Sequence, residues 1–401
     1  MTIAALTAAT ASARKWPVIS ALGVVEILAW GSSFYLPAVL AAPIAGDTGW
    51  PLAWVVGGLS CGLLVAAAVS PLVGTTIGRH GGRPVLALAA LLLAAGLATL
   101  GLAPVLPVYV AGWLVLGLGM GMGLYDPAYA TLGRLYGAEA RRAITTLTLW
   151  GGFASTVCWP LSAFLVEHAG WRWTCFAYAG LHLAVTLPLV LVMIPKPPAR
   201  VASAEGEKGA AGPLSQGERR SFLLFAGMLV CSGLIMGMVS VHLLTLLQAR
   251  GVALAAAVSY GALIGPSQVG ARVIEMAGGG RHHPLWTLTA SVALIAAGLA
   301  LLASGFGWVA AALVLYGGGN GIFSIARGTV PLALFGPERY APLIGKLARP
   351  ALIAQAAAPP IGALVIEHAG TGSAFTVMVT LACLNTALLA ILWANHPDRS
   401  A

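Results

Sequence analysis

Charge is what this chain has least of. Aspartate and glutamate together number 12 in 401 residues, and charged residues of all kinds reach 8% against 59% hydrophobic. A soluble domain carries about a quarter charged residues, and a fold of this length cannot hide so much apolar surface inside itself. Lipid must therefore be the solvent for most of the chain. Cysteine is also sparse. Cys61, Cys158, Cys175, Cys231 and Cys383 lie singly in apolar runs, without the paired spacings of a disulfide framework or a metal site, and read as small packing residues. Missing too are the Gly-x-x-x-x-Gly-Lys-Ser/Thr loop of ATP-driven machines, the His-Glu-x-x-His zinc helix and the Gly-x-Ser-x-Gly elbow of hydrolases. These absences argue against an enzyme, leave no cofactor to expect, and point to gradients as the energy source.

What is present is a succession of apolar runs of about 20 residues, bounded by glycine, proline and charge. They predict an all-α membrane protein with twelve spans at 17–42, 51–74, 84–103, 107–131, 143–166, 172–194, 221–246, 253–274, 284–304, 308–332, 343–366 and 373–394. The first run is too long for the core of a cleaved signal peptide, so it is expected to stay. The net charge of +9 is spread through short loops and not gathered on one face or arm, which argues against nucleic acid. Its placement alternates instead. Arg14, Lys15, Arg79, Arg83, Arg134, Arg141, Arg142, Lys196, Arg200, Lys208, Arg219, Arg220, Arg281, Arg339, Lys346 and Arg399 fall on one side, and only Arg172 and Arg250 on the other. Cytoplasmic loops collect Lys and Arg, so both termini are expected in the cytoplasm, in a membrane of the bacterial inner type.

The one sizeable polar stretch, 195–220, has no apolar periodicity and reads as a flexible linker. It divides the chain into an N-terminal bundle of six helices (1–194) and a C-terminal bundle of six (221–401). An internal repeat supports that division. Glu167-His168-Ala169-Gly170 recurs as Glu367-His368-Ala369-Gly370, and the same offset of about 200 nearly superposes Leu135-Tyr136-Gly137 on Leu334-Phe335-Gly336. Duplicated halves are an architecture of alternating-access carriers.

Between the second and third spans lies Gly74-Thr75-Thr76-Ile77-Gly78-Arg79-His80-Gly81-Gly82-Arg83-Pro84. With the twelve-span duplication, this basic glycine-rich turn resembles the signature loop of the major facilitator superfamily. That loop runs as a glycine, three residues, an acid, a basic residue and then Gly-Arg. Gly78 stands where the family has its acid, and Gly82 where it has its first arginine. The resemblance implies an inner gate at Gly74, Arg79, Gly81 and Arg83, with its family charge latch altered. The fourth span, WLVLGLG from Trp113, lacks the Arg-x-x-Gln-Gly pattern of many proton-driven drug antiporters, and Gly152 with Pro160 is a loose echo of the antiporter motif. Gly46-Asp47-Thr48-Gly49-Trp50 looks like the matching segment of oxalate/formate and monocarboxylate carriers, and equally fits a helix start with an interfacial tryptophan.

In that superfamily the first, fourth, seventh and tenth helices line a central cavity, and Glu26, Asp126, His242 and Arg327 fall one to each. An ionisable side chain in a bilayer costs a few kcal/mol unless it faces protein or water, and so marks a candidate pathway. Glu26 lies about 14 Å from the inner end of its span by helical rise. It is a candidate proton-coupling acid, or else a carboxylate tied to Ser32 or Asn320. Asp126 is a second proton candidate, or a static partner of Arg134 or Arg79. Arg327 suits an anion because its planar fork keeps its charge, and equally suits a permanent pair with Asp126. Asn320, His242 and Arg272 are further substrate-binding candidates. The alternative for His242 is a local hydrogen bond, and for Arg272 an i, i+3 surface pair with Glu275. Arg349 and Gln355 rank lower, as does His182, whose helix stands outside the cavity in the superfamily. Gly117, Gly119, Gly121 and Gly123, matched by Gly317, Gly318, Gly319 and Gly321, read as close helix packing or as bending beside Pro127 and Pro331.

The expectation is a monomeric secondary transporter of a small organic anion, proton-coupled, working by alternating access in the bilayer. Trp30 and Tyr35 contribute to the substrate site in that reading. The alternative is an efflux carrier for a toxic or amphipathic compound, lined by Trp30, Tyr35, Trp113 and Trp150. A non-transporting scaffold or sensor is disfavoured by the lack of a large soluble domain.

Overall fold

The computed structural model describes residues 15–196, 214–278, 281–305 and 307–395; most of the segment expected as a linker lies outside the described residues. All regular structure among the described residues is helical. In hydrocarbon every backbone amide and carbonyl has to be satisfied within its own segment, and apolar runs rich in alanine and leucine satisfy that as helices. The chain divides into two compact units, Met1–Val201 and Ala202–Ala401.

The first unit contains α1 (Lys15–Ser32), α2 (Leu36–Thr48), α3 (Leu52–His80), α4 (Gly82–Leu102), α5 (Leu106–Gly123), α6 (Tyr125–Tyr136), α7 (Ala140–Gly152) and α8 (Ala154–Leu181). A π-helical turn, His182–Thr186, then leads into α9 (Leu187–Met193). The second unit contains α10 (Gln216–Gln248), α11 (Leu254–Gly261), α12 (Ile264–Ala277), α13 (Pro284–Ser304) and α14 (Val309–Ala394). Among the described residues seven stretches are long and apolar enough to cross a membrane, and two of them, Leu106–Met193 and Val309–Ala394, run 88 and 86 residues. About 20 residues suffice for one crossing. Both long stretches are broken by glycines in the left-handed region: Gly137 (φ 54°) and Gly170 (φ 81°) in the first, Gly336 (φ 71°) and Gly370 (φ 80°) in the second. These four are the glycines of the two repeated segments. The likeness extends to the side chains before them. His168 Nδ1 donates to the Phe164 carbonyl at 2.8 Å, and His368 Nδ1 to the Leu364 carbonyl at 3.0 Å.

The glycine rows are packing surfaces in both units. A Cβ at Gly119 would sit 2.8 Å from the Leu93 side chain and one at Gly319 2.8 Å from that of Ile295. A Cβ at Gly117 would come within 2.8 Å of the Gly62 Cα, and one at Gly317 within 2.9 Å of the Ile264 carbonyl. Gly121 closes on Ala66, and Gly321 on Gln268. Residues 200 apart thus meet partners about 202 apart, so each unit builds the same three-helix contact. The cysteines follow the packing reading in part. Cys158, Cys175 and Cys231 are buried, Cys61 is half-buried, and Cys383 is exposed.

Several loop charges fasten helix ends. A helix leaves its last carbonyls without partners, and cationic side chains complement them. Arg172 donates to Asp47 Oδ2 at 2.6 Å and to the Ala103 carbonyl at 3.2 Å, with its guanidinium 4.2 Å from the Trp171 ring centre. Arg250 donates to the carbonyls of Leu302 and Ala303, and lies 4.0 Å from the Phe375 ring centre. The N-terminus of α10 is closed by a capping box between Ser215 and Glu218, and Glu218 also accepts from Arg339 at 2.8 Å.

Candidate functional site

Glu26 is fully buried in α1. Its Oε2 accepts from Trp30 Nε1 at 2.9 Å, one helical turn on, and Oε1 has no hydrogen-bond partner among the described residues. The expected tie to Ser32 is not made. Six residues along a helix turn a side chain to a different face, and Ser32 Oγ instead lies 2.7 Å from His182 Nε2. Aromatic rings collect on Trp30. Phe34, Tyr35 and Tyr125 stand 5.3, 6.0 and 5.0 Å from it between ring centres, Trp159 lies 6.1 Å from Tyr35, and Tyr129 stacks on Tyr125 at 5.3 Å. Of the other two tryptophans proposed as lining, Trp113 is 1% exposed and fills the space over Gly58, and Trp150 packs on Gly23. Trp113 is therefore a helix-packing residue, because the glycine across from it leaves an indole-sized gap.

Asp126 is half-buried in the first turn of α6, where the helix dipole favours an acid. A pair with Arg134 does not form, since eight residues of helix separate the two by about 12 Å. Arg134 instead donates to the Gly78 carbonyl and, at 3.4 Å, to that of Arg79. The signature turn is therefore built differently from the family pattern. At Gly78 the backbone oxygen, not an acidic side chain, receives the arginine. Gly81 (φ 80°) ends α3 by donating to the Ile77 carbonyl at 2.9 Å. Gly82 lies so close to Thr131 that a Cβ there would overlap its side chain, which explains why no arginine stands in that place. Gly74 is buried inside α3, Arg79 is exposed and Arg83 half-buried.

In the second unit Arg272 is 5% exposed and its Nε donates to the Gly321 carbonyl at 3.1 Å. The expected surface pair with Glu275 is corrected: Glu275 accepts from Thr287 Oγ1 at 2.6 Å and lies 3.1 Å from His282 Nε2. Those partners sit at the entry to α13, whereas Arg272 turns to the Gly321 carbonyl of α14. His242 Nε2 donates to the Pro359 carbonyl at 2.9 Å, and its ring fills the space over Gly362, the local hydrogen bond weighed from the sequence. Asn320 and Arg327 are half-buried in α14. Gln355 Nε2 reaches Met236 Sδ at 3.5 Å. Sequence reasoning undervalued His182, which is fully buried. The signal was present, for a histidine in an apolar run needs a partner, and Ser32 is the polar residue that the packing of α1 brings to it.

The family model described as Major Facilitator Superfamily matches residues 21–341. A comparison with curated protein sequences gives no match. Among solved structures, the human organic anion transporter MFSD10 (TETRAN) is similar at 18% identity and TM-score 0.72, covering 94% of this chain and 99% of its own. The proton:xylose symporter XylE has 12% identity and TM-score 0.70, with 96% of each chain covered. FucP, in its outward conformation, has 13% identity and TM-score 0.73, covering 93% of this chain and 98% of its own. At such identities these structures speak to the fold, and the family match spans most of the sequence. With membrane-length helices, duplicated glycine contacts and the basic turn after α3, the chain belongs to the Major Facilitator Superfamily.

Proposed function

We propose that this protein is a proton-coupled secondary carrier of a small organic anion such as a carboxylate, working by alternating access. Twelve membrane passes form two six-helix bundles, 1–194 and 221–401, joined by a cytoplasmic linker at 195–220. The protein acts as a monomer in a bacterial inner membrane, with both termini cytoplasmic. The left-handed glycines at 137, 170, 336 and 370 support this count, because they cut the two long helical stretches near the gaps between sequence-drawn spans.

The observation that carries the coupling proposal is Glu26: a fully buried carboxyl with one oxygen held by an indole and the other without a hydrogen-bond partner among the described residues. An unsatisfied acceptor in a dry site is costly, and proton uptake relieves that cost, so the group is poised to exchange a proton. Arg272 and Arg327 supply the positive charge for an anion, since guanidinium groups stay protonated and match carboxylate geometry. The similar fold of MFSD10, an organic anion transporter, supports the same substrate class. The test begins with a thermal-shift screen of the purified protein against organic acids. In proteoliposomes with a stabilising acid, Glu26→Gln should abolish uptake driven by a proton gradient and spare substrate exchange. Gradient-driven uptake unchanged in that variant would remove the coupling role. The rings around Trp30 favour a second reading, efflux of a flat amphipathic compound, which the same screen decides if toxicants and not acids stabilise the protein.

A further inference from the structure

Two helices of the first unit carry matching defects. At the end of α1 the Tyr35 amide passes over Gly31 and donates to the Trp30 carbonyl at 3.0 Å, while the Leu36 amide turns to Ser33 at 3.2 Å. Pro37, next in line, has no amide to give. Between α8 and α9 the Leu187 amide reaches five residues back to the His182 carbonyl, one position before Pro188. A proline ring crowds the carbonyl four residues before it, and a widened turn relieves that crowding.

The two widened turns meet through Ser32 Oγ and His182 Nε2, 2.7 Å apart and both fully buried. His182 Nδ1 and Thr186 Oγ1 have no hydrogen-bond partner among the described residues, although Thr186 is only 1% exposed. Helical Thr48, Thr99, Thr131, Thr174 and Thr329 each return their hydroxyl to the carbonyl one turn back. For Thr186 that carbonyl belongs to His182 and accepts the Leu187 amide. From Ser32 the path to the carboxyl is short: Trp30 receives the displaced Tyr35 amide on its backbone and holds Glu26 with its indole.

We infer that His182 is a positioning residue: through Ser32 it fixes the widened turn at 30–35, and so sets how the Trp30 indole meets the Glu26 carboxyl. This rests on the proposed role of Glu26 as proton carrier. Helices packed on α1 carry Arg83, Arg141, Arg142, Glu167 and Arg172 at their ends or at the Gly170 break. Among the described residues of this unit, Asp126 acts on Glu26 through charge, and Tyr125 packs against Trp30, whose indole holds the carboxyl. Among the described residues His182 hydrogen-bonds to the neutral Ser32 hydroxyl. A link from His182 to Glu26 therefore runs through hydrogen bonds and backbone, not through charge.

The test uses full-length protein in lipid nanodiscs. The infrared difference between wild type and Glu26→Gln isolates the Glu26 carboxyl band, which is then titrated with pH in wild type, His182→Leu and His182→Gln. Leucine removes the bond to Ser32, and glutamine restores a nitrogen near the Nε2 place. In His182→Leu the midpoint should move by about half a pH unit, roughly threefold in proton affinity, and hydrogen exchange of the Tyr35 amide should quicken about tenfold, equivalent to ~1.4 kcal/mol. His182→Gln should restore both. A midpoint and exchange rate that match wild type in His182→Leu overturn the inference even though Glu26 titrates. A Glu26 band that never titrates overturns the coupling proposal instead, and Tyr35 exchange then decides the positioning link by itself. If His182→Leu does not fold, Ser32→Ala breaks the same bond and is read in the same way.

Discussion

Arg272 is the one buried residue of α12, and its burial was hidden in the sequence. An arginine three residues before a glutamate on a helix suggests a surface pair. The pair is not made, because the decisive neighbour lies about 50 residues away, where Gly321 on α14 offers a backbone carbonyl at 3.1 Å. Glu26 was more legible: a lone carboxylate in an apolar run announces itself, although its indole partner was read only as part of a substrate lining. At this scale the proposed anion site makes a sharp prediction. Arg272→Lys keeps the charge and loses the planar fork. It should fold and still lose about tenfold in affinity, ~1.4 kcal/mol, for whichever carboxylate stabilises wild type, read as a smaller ligand-induced rise in melting temperature. An undiminished rise would leave Arg272 as an anchor of α12 on α14 and nothing more.

The helical character of the chain was legible, since apolar length, glycine and proline carry most of that information. The glycine rows in the fourth and tenth sequence spans were visible as spacing, and each now has a partner helix. Their bending role beside Pro127 and Pro331 was the less informative reading: the sharper defects lie beside Pro37 and Pro188, where two helices widen and meet. Prolines could be seen there, but five-residue spacing cannot be, because it depends on which carbonyl the displaced amide finds. Close packing at the rows predicts a steep response to added volume. Gly119→Val and Gly319→Val each drive branched side chains into a neighbouring helix at 2.8 Å. Overpacking of this kind costs about 1–3 kcal/mol, so both variants should melt several degrees lower in detergent. Gly265→Ala on α12 meets nothing within 4 Å and should be neutral or stabilising by about 0.4–1 kcal/mol. Equal losses in all three would mean that glycine is needed at the rows for reasons other than space.

Across the whole chain, the duplication was legible in two short repeats, and it holds at the level of backbone angles and helix contacts. What the repeats could not reveal is the task of Arg172 and Arg250, which charge counting treated only as exceptions to its bias. Ala103 and Ala303, separated by the repeat offset, each present a carbonyl to one of them. Arg172 approaches from the start of the stretch after Gly170, whereas Arg250 approaches from the end of α10, so the same junction is closed from different corners. Their chemistry differs as well. Arg172 also pairs with the exposed Asp47, and Arg250 relies on carbonyls and the Phe375 ring. Exposed ion pairs contribute about 0–1 kcal/mol and are weakened by salt, while a hydrogen bond from a charged donor contributes about 1.5–3 kcal/mol. Arg172→Gln should therefore quicken amide exchange at 43–50 and 101–106 about fivefold, with the difference from wild type shrinking in 1 M salt, roughly a 3 Å screening length. Arg250→Gln should quicken exchange at 248–254 and 300–305 by more than that, with little response to salt. Each effect should stay within its own compact unit, because each arginine's contacts do. Equal deprotection of both units by either variant would mean that the two arginines are not separate fastenings.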